Sequence, residues 1–197
     1  MHTEIEGKWL NIDLDVFRKK LITNKAKLVQ VETLMKRKIF DFDDKALSKV
    51  GGWVRVRDEG NKITLSYKQL NDRTIHGTKE VNIIVNDFDS TCQFLEAIGM
   101  KQKSYQETKR ESWRLDGAEV ELDSWPWIPG FIEIEGTSVQ QVKKVASKLS
   151  LEWEKALHGS VEIAYQDIYD VTEEEIDQWE SIEFTAIPEW LAAKKIK

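Results

Sequence analysis

The 197-residue chain predicts an α+β fold built on an antiparallel sheet. Segments that alternate polar and apolar residues dominate, about eight of strand character against four or five of helical character. Two pairs of these segments face each other across tight turns, as hairpins do. Its 10 Gly and 3 Pro are spread thinly, without a linker, repeat or low-complexity run. One domain over residues 1–197 is therefore expected, with 171–197 as a C-terminal helical appendage.

The first strand is expected over residues 3–10, where Glu4, Glu6 and Lys8 alternate with Ile5 and Gly7. A helix follows over 13–22, with Leu14, Phe17 and Leu21 on one stripe. "KIFDFDD" (38–44) is a short strand that breaks at its acidic pair. "GGWVRVRDEGNKITLSYKQL" (51–70) is a hairpin, Trp53, Arg55 and Arg57 alternating with Val54 and Val56 before a turn at "DEGN". "KEVNIIV" (79–85) is a strand. "DFDSTCQFLEAIG" is a helix capped by an Asp and stopped by Gly99, with Cys92 in its core stripe beside Phe88 and Leu95. A second hairpin spans 107–125 and turns at Asp116-Gly117. "GFIEIEG" (130–136) ends the strand series. Ser138 caps a helix striped by Val139, Val142, Val145, Ala146 and Leu149. Thr172 and Glu175 have capping-box spacing at the start of a last helix. "EWEKAL" has helical character, which places His158 at a helix end.

A 41% hydrophobic content suits a packed globular protein, and no apolar run approaches the ~20 residues of a membrane span. The N-terminus lacks the pattern of a signal peptide, and the single Cys92 forms no internal disulfide, so a cytoplasmic setting is expected. The formal net charge of −6 argues against a nucleic-acid partner and leaves room for a basic pocket. Neither membrane nor nucleic acid is expected as a partner, and the protein is expected as a monomer or homodimer.

Charge recurs at alternate strand positions: Glu4/Glu6/Lys8, Arg55/Arg57, Lys68, Glu80, Arg110, Glu119/Glu121/Asp123 and Glu133/Glu135. The opposite faces carry Ile5, Val54, Val56, Val120, Leu122, Ile132 and Ile134. A solvated sheet face explains any one strand. It explains the set less well, because like charges two apart repel and acids and arginines segregate into different strands. Clustered carboxylates suit Mg²⁺ or Mn²⁺, and Arg/Lys clusters suit phosphate. Together they are the components of phosphoryl transfer.

The strand Glu4-Ile5-Glu6-Gly7-Lys8 resembles the Glu-x-Glu-x-Lys signature of the CYTH superfamily, similar in fold to the triphosphate tunnel metalloenzymes. "WVRVR" and "SYK" resemble the family's Arg-x-Arg and tunnel Lys; "KRESW", "VELD" and "GFIEIEG" resemble its basic, Asp and closing Glu-x-Glu strands. The likeness covers roughly residues 2–170. It implies an eight-stranded antiparallel β-barrel, a tunnel with charged side chains inside and helices packed outside. Such closure removes sheet edges, in keeping with the alternation. The resemblance further implies that Glu4, Glu6, Glu133 and Glu135 hold one or two divalent cations (Mg²⁺ or Mn²⁺), with Asp123 close by. Lys8, Arg55, Arg57, Lys68 and Arg110 would cradle a triphosphate, and Glu80 is the one acid of its strand's expected pair. Glu6, Lys8, Arg55 and Arg57 are the expected catalytic residues. The basic strand departs from the cyclase pattern: Thr108 stands where a first cation is expected, and Lys109 should turn outward.

A metal-dependent phosphohydrolase acting on inorganic triphosphate, thiamine triphosphate or a nucleoside triphosphate is thus expected. The alternatives are a class IV adenylate cyclase and a noncatalytic polyphosphate- or nucleotide-binding module. Trp125-Pro126-Trp127 is a loop suited to covering the tunnel entrance, and Lys155 or His158 is expected to reach the same mouth. The tail "IPEWLAAKKIK" suits either a dimer contact or a frayed end.

Overall fold

The computed structural model describes residues 1–196. The strands are β1 (His2–Thr3), β2 (Glu6–Trp9), β3 (Lys27–Phe42), β4 (Gly52–Asp58), β5 (Ile63–Leu70), β6 (Thr78–Val85), β7 (Met100–Leu115), β8 (Ala118–Ser124), β9 (Phe131–Glu135) and β10 (Ser181–Ile182). The helices are α1 (Leu14–Thr23), α2 (Phe88–Ala97), α3 (Val139–Lys148), α4 (Glu162–Gln166), α5 (Glu173–Ile176) and α6 (Glu189–Ala192).

The sheet runs β1-β6-β5-β4-β3-β7-β8-β9-β2, and every pairing along that path is antiparallel. Its two ends are one run of chain. The expected first strand is interrupted at Glu4-Ile5, so that β1 pairs with β6 and β2 with β9. At the break, the Glu4 amide donates to the Thr78 carbonyl and the Gly136 amide to the Ile5 carbonyl, both at 3.0 Å. The sheet therefore curls into a barrel as expected, but of nine strands rather than eight, because the first is interrupted into β1 and β2. Closure leaves no free edge along the ring.

Alternation then sorts the side chains. Outward Val120, Leu122, Ile132 and Ile134 pack against Val142, Val145 and Ala146 of α3 and Phe17 and Leu21 of α1. Cys92 and Leu95 of α2 cover Phe40 and Val56 on another wall. Asp13, Asp87 and Ser138 cap these helices, each side chain accepting a hydrogen bond from the backbone amide three residues on. Asp116 and Gly117 both adopt positive φ (50° and 82°), as a tight primed hairpin turn requires.

Four further expectations need correction. β3 begins at Lys27, well before residue 38, and β7 begins at Met100 rather than at 107. "EWEKAL" holds only a single 3₁₀ turn, Trp153–Lys155, so His158 is not at an α-helix end. Its Nδ1 lies 2.7 Å from the Glu6 carbonyl oxygen, beside the bridge that ties Lys8 to Leu157. The 171–197 segment is helical only in part. Its capping box forms as expected and α5 follows, but β10 then joins the sheet parallel to β7. The tail is not frayed over its described residues, since Leu191 is fully buried in a cluster with Trp125, Phe131, Tyr165 and Trp179.

Candidate functional site

The tunnel encloses a cavity of about 1060 Å³. Glu4, Glu6, Lys8, Arg55, Arg57, Lys68, Glu80, Arg110, Glu133 and Glu135 all line it. Asp123 is 1% exposed behind Arg110. Six strands thus aim expected site residues at one space, because inward positions recur at every second residue.

The charges are paired across strands. Arg110 makes a bidentate contact with Asp123 (Nε to Oδ1 2.7 Å, Nη2 to Oδ2 2.6 Å) and a further one to Glu133 at 2.7 Å. Lys8 Nζ donates to the other oxygen of Glu133. Burial works to lower the pKa of Arg110, but Asp123 and Glu133 outweigh it and hold the guanidinium charged. Burial likewise opposes the Glu133 carboxylate, yet Lys8 and Arg110 keep it far below the ordinary range.

On the opposite wall Lys68 Nζ sits 2.9 Å from Glu4 and 3.9 Å from Glu80. Arg55 Nη2 reaches Glu80 at 3.4 Å, and Arg57 Nη2 reaches Glu59 at 2.7 Å. Burial, opposed by Lys68, pushes Glu4 up to about 8. Glu80 is held at about 2: burial opposes this, but the hydrogen bond from Glu4 and the charges of Lys68 and Arg55 prevail.

Among the described residues no three carboxylate, imidazole or thiolate groups already surround one point. The donors nevertheless suit a hard cation. Glu6 and Glu135 are cross-strand partners, Glu119 lies opposite Glu135 on the other side, and none of the three is paired with a cation inside the tunnel except Glu119 with Arg114. Burial, then the charge of Glu6, pushes the Glu135 carboxyl to about 7. A wall of oxygen donors crowded enough to bind protons near neutrality fits a divalent ion.

Some cavity residues escaped the sequence reading. Arg37 of β3 faces Arg57, its Cα partner, and lies over the Trp125 indole at 4.1 Å. Glu121 had been noted in its acidic run but given no role; burial pushes its carboxyl to about 7 against the pull of Arg110, and it accepts a hydrogen bond from Ser112. The alternation of β8 could have flagged Glu121, two residues from Asp123. No comparable signal was available for Arg37. Trp125 lines the cavity, whereas Trp127 turns toward the C-terminal segment and donates to the Thr185 carbonyl at 3.1 Å. Lys155 instead pairs with Glu152 at the surface.

Solved structures share this architecture. A candidate adenylate cyclase from Vibrio parahaemolyticus superposes with a TM-score of 0.71 at 15% identity, covering 84% of this chain and 98% of its own. A conserved hypothetical protein from Pyrococcus furiosus gives 0.65 at 23% identity, over 78% and 94% of the two chains. A candidate adenylyl cyclase from Hippeastrum, described as having a dominant triphosphatase activity, gives 0.59 at 15% identity, over 89% and 95%. No curated protein sequence matches the chain. At such identities these likenesses speak for the fold alone. The family rests on the sequence itself: the CYTH domain model matches residues 2–164, the stretch that contributes every strand of the ring, and the chain belongs to the CYTH domain family.

Proposed function

We propose that the tunnel hydrolyses the terminal anhydride of a triphosphate-bearing substrate, with Mg²⁺ or Mn²⁺ held by Glu4, Glu6, Glu133 and Glu135 near Asp123. The supporting observation is that cations and carboxylates from opposite walls line a single cavity, where their side chains are buried or half-buried. Arg55, Arg57, Lys68, Lys8 and Arg110 bind the phosphate chain, and the arginines orient it through two-pronged contacts. Buried in this way, they stabilise charge on the reacting group more strongly than they would in water. A divalent cation held by Glu4, Glu6, Glu133 and Glu135 would offset the charge that develops on the phosphoryl group. Glu121, with its carboxyl near 7, accepts the proton of the attacking water.

Cyclisation of ATP is the second reading. Trp53 lines the cavity and offers an aromatic face to a base. Hydrolysis asks only for water and needs no base-reading contacts.

Phosphate release from tripolyphosphate and ATP, measured with Mg²⁺ and with Mn²⁺, tests the proposal. Turnover is expected with at least one cation, and Glu6→Ala should lower it by on the order of 10² or more. Binding without turnover under every cation would make the protein a noncatalytic polyphosphate-binding module instead.

A further inference from the structure

Arg37 is the arginine of the tunnel whose charge is left over. Arg55 has Glu80, Arg57 has Glu59, and Arg110 has Asp123 and Glu133. Among the described residues Arg37 has no ion pair; its Nε donates to the neutral Gln106 Oε1 at 2.8 Å. The stack on Trp125 and the Gln106 contact hold its guanidinium at the wall of the cavity that Arg37, Gln106 and Trp125 line together. Arg37 is also crowded by its own kind. Burial, then Arg55, Arg57 and Arg110, drive its pKa well below the usual arginine value. Beside it, Arg55 Nε is buried without a hydrogen-bond partner. Several guanidinium groups, one unpaired and one with an orphaned donor, are costly to hold together unless an anion joins them.

We infer that Arg37 is a specificity-determining residue that binds the phosphate chain between the Arg55/Arg57 wall and Arg110, and that it selects three-phosphorus anions over two-phosphorus ones. This deepens the proposed triphosphate site and rests on it. β3 lies between β4, which carries Arg55 and Arg57, and β7, which carries Arg110. A chain of three phosphoryl groups crossing from one wall to the other passes over Arg37. A diphosphate is satisfied by one wall and has no need of it.

The test is calorimetric titration of the metal-free protein with tripolyphosphate and with pyrophosphate, comparing wild type, Arg37→Gln and Arg37→Lys. Removing a charge-assisted pair of contacts should weaken tripolyphosphate binding by about ten- to a hundredfold. Pyrophosphate affinity should change by less than about threefold. Arg37→Lys keeps the charge but loses the fork, and should fall between the two. It also serves if Arg37→Gln fails to fold. A loss equal for both anions, or no loss in either variant while wild type binds tripolyphosphate, would overturn the inference and leave the proposed function standing. A wild-type protein that binds neither anion would overturn both.

Discussion

Burial raises Glu4 while its hydrogen bond and the charges of Lys68 and Arg55 hold Glu80 low, and Glu135 and Glu121 sit near 7 because burial and neighbouring carboxylates resist their ionisation. These shifts carry a sign for stability. A carboxyl raised above its unfolded value of 4.5 binds a proton in the folded state that the unfolded chain has already lost. Its contribution is complete below about 4.5 and is lost as pH rises through the folded value. Glu80, Glu133 and Glu59 are lowered, so their contribution is present above about 4.5 and is lost on further acidification. Metal-free protein should therefore melt highest near pH ~5 and progressively lower toward pH ~8. Glu135→Gln should flatten that decline, and Mg²⁺ should raise the melting temperature more at pH ~8 than at pH ~5.5. A melting temperature that climbs steadily from pH 5 to 8 would contradict these assignments. At this scale the sequence supplied residue identities and their inward phase, because charge alternated with aliphatics in β2, β4, β8 and β9. It did not supply the pairings, which join residues as far apart as Lys8 and Glu133.

The elements divide into two jobs: one strand face makes the site and the other makes the core. Ile134 shows the division. It is fully buried between Val120 and Gly7 on neighbouring strands, while Glu133 and Glu135 on either side of it face the tunnel. Ile134→Ala should cost about 2–5 kcal/mol in chemical denaturation. Folded Ile134→Ala protein should keep tripolyphosphate affinity within about threefold, since the lost methylenes lie outside the tunnel. A large affinity loss without a stability loss would place the core face in the site. Alternation made β4, β5, β8 and β9 legible. It failed for β3, where Leu28, Val31, Leu34 and Met35 fall at helical spacing while Val29 and Val31 fall at strand spacing, so the pattern does not choose between them. The pairing with β7 explains why: register shifts fall between Leu28 and Gln30 and between Gln30 and Thr33. With those residues unread as strand, the phase of Arg37 was hidden. His158 was misplaced for a related reason, because its position depends on the bridge between Lys8 and Leu157 rather than on local pattern.

Across the whole molecule, closure comes from the ends of the chain. Residues 2–9 tie β6 to β9, and residues beyond the CYTH match at 164 bury Trp125 and Phe131. Arg73, in the β5–β6 connection, also pairs with Glu173 at the start of α5. A chain ending at residue 164 would expose a cluster that includes Trp125, Phe131 and Ala164, and should lose several kcal/mol and bind a hydrophobic dye. An unchanged melting temperature would show that the C-terminal segment merely rests on the barrel. The central claim is that the enclosed charges act on a triphosphate. Phosphorus NMR of tripolyphosphate and ATP incubated with the protein and Mg²⁺ or Mn²⁺ tests it most directly. The account predicts orthophosphate with pyrophosphate from the first and orthophosphate with ADP from the second. Pyrophosphate with cyclic AMP from ATP would favour cyclisation over hydrolysis, and unchanged spectra under both cations would contradict catalysis in the tunnel altogether.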